Sequence, residues 1–590
     1  MSPRKFISLA IPALTAFGLA LPVLAQAPAA APPPPKKRSV AISDPFEVSS
    51  SPAGNYLSAL IAGADRDTLA SSTYSREALR YDPRNRELIE RAFISSLSNG
   101  DMAQAFQLGE RLGKIDPKNG IVHLALGVRG FKTKQFGAAR TEIGKGGGGR
   151  QRDLTVSLLT AWSWAGAGDN RRALETLDKL KDERFAPFRD YHMGLIADLA
   201  GNVPEATKRL KAAYEGEKSS LRMVDAWARF LSRRGDRDEA KKVYQEFDKL
   251  APRHPLVQAA LADLAAGKTL ESNVPTAVAG AAEVLYQIGA LGSQQNDSFI
   301  GMIYLRMSLY LAPDNALSII TLADVFERIK QYERAIDVYE TVPAASPLRS
   351  NAEIQSGLIL ETMGKSDAAL KHLTAIAAAS PADVEALGAL GNLQRARKDY
   401  AAAAETYTKV IDAIGTPSRA DWTNYYFRAI AFERSKHWPK AEADFRKALE
   451  LFPDQPLVLN YLGYSWVDQG VNLDESFRLL RRAVELRPTD GYIIDSLGWA
   501  HYRLGNYDEA LRELEKAIEL KPGDPVINDH LGDIYWRVGR KLEARFQWNH
   551  ARDLNPEPDD LEVILKKIEN GLGEEKKPAA AEAEPSKDGG

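Results

Sequence analysis

The residues of this chain that could perform acid-base or metal chemistry are few and scattered. Eight histidines occur along the sequence, at positions 123, 192, 254, 372, 437, 501, 530 and 550. The densest group is His530, which follows Asp529 directly and precedes Asp533 by three residues, with His550 further along. Imidazole and carboxylate groups are zinc ligands, but this spacing matches no zinc motif, and chance placement is the alternative. We therefore predict no metal site and no catalytic residue.

A glycine-rich run from Gly144 to Arg150 is the other chemical candidate, because such loops can cradle phosphate groups. A phosphate-binding loop follows a strand and ends in Gly-Lys followed by Ser or Thr, and this run has neither feature. We interpret it as a flexible loop between helices. Cysteine is absent, which excludes disulfides, thiolate metal sites and cysteine nucleophiles. The sequence predicts no cofactor.

The first 25 residues have the pattern of a secretory signal peptide. Arg4 and Lys5 precede an apolar run from Phe6 to Leu21, and a small residue, Ala25, marks the expected cleavage point. The alternative is an uncleaved anchor, although the run is short for a bilayer and contains proline. Without cysteine there is no lipid attachment site of the lipoprotein type. We expect an exported, periplasmic protein that is not a lipoprotein.

The remaining composition argues against nucleic acid as a partner and against a membrane-spanning segment. The chain of 590 residues has 77 basic and 79 acidic residues, and no long apolar run follows the first 25 residues. Residues 26–50 are rich in proline and carry three consecutive basic residues, which predicts an extended linker. Residues 573–590 are rich in Ala, Glu, Lys and Pro and predict a disordered tail.

The elements that would position any functional residue recur at a fixed period. Proline stands at Pro453, Pro488, Pro522 and Pro556, in steps of 34 or 35 residues. Glycine recurs with a similar step ten residues after the first three of these prolines. Such a period indicates one supersecondary unit that is repeated and stacked, so that each copy buries its apolar face against its neighbours.

The unit from 491 to 524 shows what each copy contains. Apolar residues three and four apart predict two helices, separated by a turn at Gly505. Gly498 and Ala510 are small, as residues must be where two helices approach closely. Asp508 is predicted to cap the second helix, and Pro522 prevents its continuation.

In the next unit, Leu531, Gly532, Tyr535, Ala544, Ala551 and Pro556 stand at the spacings of the tetratricopeptide repeat signature. The chain resembles a tetratricopeptide repeat protein. The resemblance implies an all-α, right-handed α-solenoid of about fourteen helix-turn-helix repeats. The repeats divide into a degenerate N-terminal array at 51–254 and a C-terminal array at 282–558. Residues 255–281 predict an extra helix and a hinge, and 559–572 a capping helix.

The resemblance also implies which residues would meet a partner, because one face of each first helix lines a concave groove in this family. That face carries Tyr426, Asn460, Tyr464, Tyr492, Trp499, Tyr502, Arg503, Trp536 and Arg537, with Asp495, Asp529 and Asp533 beside them. Tyr, Trp and Arg supply much of the energy of protein interfaces. The alternative is that the tryptophans only fill the interior of the superhelix.

The resemblance to tetratricopeptide repeats also bears on Trp466, Trp548 and Asn460. Trp466 and Trp548 fall at seam positions and are predicted to be core residues. Asn460 is similar to the asparagine of clamp-type family members, but the lysines that accompany it there are missing. A clamp for a terminal carboxylate is therefore doubtful.

We predict a non-enzymatic scaffold or adaptor of the bacterial cell envelope, which binds a peptide or a partner helix of another protein in the groove of its C-terminal array. Two alternatives stay open. One is a periplasmic holdase or assembly chaperone for envelope proteins. The other is an enzyme with an unrecognised site on the groove.

Overall fold

The computed structural model describes residue 48 and residues 50–146, 150–294 and 298–573. Within these ranges the chain has thirty α-helices, two short 3₁₀ turns and no β-strand. Fourteen antiparallel helix pairs account for all but two of the helices, so the predicted all-α array of about fourteen repeats is confirmed. The predicted signal peptide, most of the linker and most of the tail lie outside the described residues.

Two compact units divide the described chain between Ile376 and Ala377. The helices of the first unit are α1 (Pro52–Ala64), α2 (Thr68–Tyr81), α3 (Arg86–Asn99), α4 (Met102–Ile115), α5 (Gly120–Lys132), α6 (Phe136–Lys145), α7 (Arg150–Gly166), α8 (Asn170–Leu177), α9 (Ala186–Leu199), α10 (Val203–Gly216), α11 (Leu221–Arg233), α12 (Arg237–Leu250), α13 (Pro255–Ala265), α14 (Ala277–Gln294), α15 (Ser298–Leu311), α16 (Ala316–Arg328), α17 (Tyr332–Tyr339) and α18 (Arg349–Thr362).

Helix α19 (Ser366–Ala379) crosses the division. The helices of the second unit are α20 (Val384–Ala396), α21 (Tyr400–Ile414), α22 (Trp422–Arg434), α23 (Trp438–Leu451), α24 (Pro456–Gln469), α25 (Leu473–Leu486), α26 (Gly491–Arg503), α27 (Tyr507–Leu520), α28 (Pro525–Arg537), α29 (Lys541–Asp553) and α30 (Pro558–Asn570).

Helix starts follow ordinary capping chemistry. The Asp490 side chain accepts from the Tyr492 amide at the start of α26, and Asp524 does the same for two amides of α28. Helix α27 differs from the prediction, because its cap is Asn506 and not Asp508. Asp508 lies in the first turn, where its charge complements the helix dipole without accepting a capping hydrogen bond.

Within each pair, a small residue on the first helix lets the second helix come close. A Cβ atom at Gly498 would lie 2.8 Å from Leu514, and one at Gly532 would lie 2.4 Å from the Trp548 ring. Real Cβ contacts are not that short, so glycine is required at both sites. Trp466 and Trp548 are both 0% exposed, which confirms their assignment to the core.

Helices α14 and α15 occupy the inner side of the first unit. Helix α14 packs against α5, α7 and α9, while α15 packs against α3 and α5. Gly280 brings α14 onto α7, because a Cβ there would lie 2.3 Å from the Trp162 indole. On the same side Glu283 of α14 accepts bonds of 2.8 and 2.6 Å from Arg222 of α11.

Polar contacts also join the start of the first unit to α15 and to α17. Arg334 donates to the Thr68 hydroxyl at 2.8 Å and to the Asn99 side chain at 2.9 Å. Arg306 donates to the Ser98 carbonyl at 3.1 Å. The array from α1 to α13 therefore packs against α14, α15 and α17, in addition to the stacking of each repeat on the next.

The sequence predicts an extra helix and a hinge at 255–281 and the start of a second array at 282. In the structure, α13 lies in that stretch, and the chain then enters the inner side of the first array. The reason is the composition of α15, which carries one charged residue among fourteen and buries Met302, Leu305 and Met307. A helix with so few polar positions is buried on several sides.

Candidate functional site

The candidate site is the inner face of the second unit, which we define as the side formed by the first helices α20, α22, α24, α26 and α28. Consecutive first helices contact each other, as α24 does α26 and α26 does α28, whereas consecutive second helices lie further apart. Closer spacing on one side of a stack makes that side the inner one. The predicted partner-binding residues lie on these first helices or at their ends.

The centre of the inner face is an aromatic stack that spans two repeats. Trp499 lies between Tyr502 and His530, with ring centroids 4.6 and 3.9 Å away and nearly parallel planes. His530 is buried, while Trp499 and Tyr502 are half-buried. Trp499 and Tyr502 therefore each keep part of the ring exposed to a ligand, while His530 packs on the buried side of Trp499.

An ion pair fixes the buried end of this stack. His530 Nδ1 lies 2.9 Å from Asp495 Oδ1, with Asp495 on α26 and His530 on α28. Burial by itself lowers the pKa of His530, but the Asp495 carboxylate more than offsets this, so the pKa is raised above its ordinary value. The Asp495 carboxylate therefore favours the protonated form of the imidazole that packs against Trp499.

A second charged cluster lies beside the first. Lys567 of α30 donates to Asp529 Oδ2 at 2.7 Å and to Asp533 Oδ2 at 2.9 Å. Trp548 Nε1 donates to the other Asp533 oxygen at 2.9 Å. Burial raises the pKa of Asp533 to about 6, although Lys567 opposes the shift. The last helix thus places one cation between two carboxylates that lie one turn apart on α28.

Asn460 and Tyr464 lie one turn apart on α24, and both are half-buried. The Asn460 Oδ1 atom is enclosed and has no hydrogen-bond partner among the described residues. An unpaired, enclosed amide oxygen is costly and is rare in folded proteins. Burial raises the pKa of Tyr464 to about 12, and the nearby carboxylates of Asp468 and Asp495 add to the shift, so this hydroxyl is a hydrogen-bond donor at any physiological pH.

Tyr426 lies deeper than the other predicted residues. It is 8% exposed, and the rings of Trp422, Phe427 and Tyr461 lie 5.7, 5.3 and 6.1 Å from its own. Its ring is part of the packing of α22, so little of it remains for a partner to touch.

Arg503 and Tyr492 lie at opposite ends of α26, away from the stack. Arg503 donates to Asp468 Oδ1 at 3.0 Å, and Tyr492 is 42% exposed with Lys521 Nζ 5.1 Å from its ring centroid. These two side chains lie at the margins of the face.

Trp536 and Arg537 are covered by the segment that follows α30. Trp536 Nε1 donates to the Leu572 carbonyl at 3.2 Å, and Arg537 donates to the Gly573 carbonyl at 3.0 Å. A Cβ atom at Gly571 would lie 2.1 Å from Trp536, so the backbone touches the indole. The open part of the inner face therefore extends from α24 to Tyr502.

The repeats in the second half of the chain match models of a known protein family. Two family models, both described as tetratricopeptide repeat, match the second half of the chain: one matches residues 493–524, and the other matches residues 355–418 and 428–491. The chain is a tetratricopeptide repeat protein.

A tetratricopeptide repeat-containing protein of Pseudomonas aeruginosa is 35% identical over 80 residues, which is 14% of this chain and 14% of that protein. Among solved structures, a tetratricopeptide repeat protein of Parabacteroides merdae has 17% identity and a TM-score of 0.34, covering 49% of this chain and 99% of its own. The Cut9–Hcn1 hetero-tetramer has 14% identity and a TM-score of 0.36, covering 88% and 96%. Yeast Tom70 has 12% identity and a TM-score of 0.29, covering 88% and 95%.

The tetratricopeptide repeats also explain contacts that sequence reasoning missed. Asp495 and His530 are 35 residues apart, as are Asp468 and Arg503. Residues one period apart occupy equivalent positions on neighbouring first helices, so complementary side chains at that separation signal a contact. Lys567 carries no such signal, because α30 lies after the last repeat.

The described residues offer no alternative site for metal or membrane chemistry. No three His, Asp, Glu or Cys side chains within them converge as metal ligands would. His530 is buried in the stack, whereas His550 is exposed beside Phe546 on α29. No helix in the described ranges combines the length and the apolar character that crossing a bilayer requires.

Proposed function

We propose that this tetratricopeptide repeat protein is a binding scaffold, and that the inner face of its second unit holds an extended peptide or a helix of a partner protein. Proteins of this family bind other proteins or peptides. The observation that carries the proposal is the row of half-buried side chains on neighbouring first helices, with Asn460 on α24 and the stacked rings of Trp499 and Tyr502 on α26. A bound peptide would cover these rings, and the open part of the Asn460 amide would form a hydrogen bond with its backbone.

The surroundings of Asn460 support the same ligand. Tyr464 adds a hydroxyl one turn away, and Trp499 and Tyr502 add half-buried aromatic surface on the next first helix. Rigid aromatic rings bury a large area at low entropic cost, which is why they dominate binding hot spots. A peptide along this face would meet polar contacts at α24 and apolar contacts at α26.

We propose binding without catalysis. The groups on this face that could act as acids or bases are paired with one another, since His530 contacts Asp495, and Lys567 contacts both Asp529 and Asp533. Each pair supports the aromatic stack or closes the end of the array. A general acid or base would instead have to reach a substrate.

We also propose that the protein is exported to the bacterial periplasm and acts there with other proteins of the cell envelope. The support is the signal-like pattern of the first 25 residues, with cleavage after Ala25, and the absence of cysteine from the sequence. Intact-mass analysis of the mature protein tests this step. A chain that starts at Gln26 supports export, and a chain that retains Met1 contradicts it.

The binding proposal is tested with Asn460→Ala in the full chain. Asn460 Oδ1 makes no internal hydrogen bond, so the substitution should leave the thermal transition nearly unchanged. Partners are crosslinked in cells, captured on a tagged chain and quantified by mass spectrometry. Loss of a peptide hydrogen bond should reduce capture about tenfold.

Asn549→Ala is the matched control, because Asn549 is a half-buried asparagine on the second helix α29. A small set of proteins reduced by Asn460→Ala and retained by Asn549→Ala supports a specific scaffold. A broad set of unfolded clients, equally captured by both variants, would instead indicate a holdase.

A further inference from the structure

A polar pocket lies on the outer side of the second unit, opposite to the inner face. Helix α25, a second helix, forms one wall of the pocket, and the end of α26 with the turn that follows it forms the rest. The pocket has a volume of about 550 Å³. It is lined by Asp474, Phe477, Arg478, Arg481, Arg482, Glu485, His501, Leu504 and Asn506.

The three arginines of the pocket differ in their carboxylate partners. Arg478 lies 3.3 Å from Glu475, and Arg482 is held by Asp454 and Glu485 at 2.9 and 3.0 Å. No carboxylate in the described part of the chain pairs with Arg481, which has a ring contact with Phe477 at 5.7 Å. A guanidinium without a carboxylate partner, at the edge of a pocket, is suited to bind an anion.

His501 forms the floor and is also unsatisfied. It is 8% exposed, and its Nδ1 atom is enclosed without a hydrogen-bond partner in the described structure. The Phe477 ring packs edge-on against it at 4.8 Å. Since Nδ1 is sealed, an incoming group reaches the imidazole through its opposite edge, where Nε2 can donate.

The charges around His501 favour an anion. Burial lowers the pKa of His501, and the positive charge of Arg481 lowers it further. From α27, Glu509 raises the pKa and Arg512 lowers it. The imidazole is therefore harder to protonate than that of a free histidine, and it would gain a proton more readily if a negative group entered beside Arg481.

We propose that this pocket binds a carboxylate group of an acidic peptide, held between Arg481 and His501. Arg481 offers two parallel N–H donors that match a carboxylate, and His501 Nε2 adds a third. Phe477 and Leu504 would contact the aliphatic stem of the acidic side chain. Two carboxylates on the pocket wall, Asp474 and Glu485, leave only a small positive excess, which suits a single negative charge better than a phosphate dianion.

This second site is separate from the inner face, so it does not depend on the proposed function above. It also has its own pH dependence. Because the bound anion raises the pKa of His501, carboxylate binding is coupled to protonation of the imidazole and strengthens as pH falls toward the ordinary pKa of histidine.

The test uses the full chain labelled with ¹³C at histidine Cε1, and His501→Gln assigns the His501 resonance. The probe is a blocked tri-glutamate peptide, with the blocked tri-glutamine peptide as its neutral counterpart and glutarate as a free dicarboxylate. We expect a saturable shift of the His501 resonance with tri-glutamate, a higher pKa of His501 in the complex, and no shift with tri-glutamine.

Arg481→Gln should weaken the tri-glutamate affinity about tenfold. Arg487→Gln is the control, because Arg487 follows α25, carries the same charge and lies outside the pocket. Equal effects of the two variants, an equal shift with tri-glutamine, or no saturable shift with either carboxylate would overturn the proposal. A shift with glutarate but not with the peptide would overturn the peptide as the source of the carboxylate.

Discussion

Trp548 is the side chain whose removal should affect the last repeat most. It is 0% exposed, its indole N–H donates to Asp533 at 2.9 Å, and its ring lies against Trp536 at 5.4 Å. Gly532 holds α28 close to this ring, and a Cβ at that position would be only 2.4 Å away. The two backbones are already close together, so they cannot collapse much further into a cavity.

Two substitutions separate the cost of the cavity from the cost of the lost hydrogen bond. Trp548→Ala should lower the local stability of the last repeat by about 3 to 5 kcal/mol, because it creates a cavity that does not close. Trp548→Phe keeps most of the volume and removes the hydrogen bond to Asp533, so it should cost about 1 to 3 kcal/mol. Repeat arrays open in parts, so the loss should be concentrated in α28, α29 and α30.

Hydrogen exchange by mass spectrometry measures this locally, with peptides from α20 and α21 as an internal reference. Phe546→Ala is the matched control on the same helix, since Phe546 is 68% exposed and its removal should change stability by less than about 0.5 kcal/mol. Unchanged protection of α28 in Trp548→Ala would refute the packing argument. An equal loss of protection across α20 to α30 would refute the local character of the effect.

Three further predictions concern the other buried sites. Burial lowers the pKa of His192 to about 4, so between pH 6.5 and 4 the unfolded chain binds a proton at His192 and the folded chain does not. Between pH 7 and 5 the natural chain should therefore lose roughly 2 kcal/mol of unfolding free energy relative to His192→Gln, measured from urea midpoints. Asp495→Asn should lower the pKa of His530 in an NMR titration, and its stability cost should be largest below pH 6.5 and decline as pH rises through the raised pKa of His530. Gly280→Ala should cost about 1 to 3 kcal/mol by overpacking against α7, whereas Gly137→Ala, which meets no atom within 4 Å, should not destabilise the chain.

The sequence predicted the repeats well because each one obeys local rules. Periodic glycine marks close helix approach, as at Gly498 and Gly532, and periodic proline ends the second helices. Trp466 and Trp548 were assigned to the core from their positions in the repeat alone. When the position of a residue depends only on its own repeat and the next one, the repeat period is sufficient to predict that position.

Features that join distant parts of the chain were not predictable in this way. The burial of α14 and α15 inside the first array depends on contacts such as Arg306 with Ser98, more than 200 residues apart. Lys567 reaches two carboxylates from outside the last repeat. No periodic pattern encodes any of these contacts.

Site-specific photocrosslinking tests whether the inner face of the second unit binds a partner protein. A benzophenone amino acid replaces Tyr464 on the inner face or Phe546 on the outer side, so that each substitution exchanges one aromatic ring for another. Binding at the inner face should give discrete crosslinked partners from position 464 and none of them from position 546. Partners crosslinked equally from both positions, or only from position 546, would contradict it.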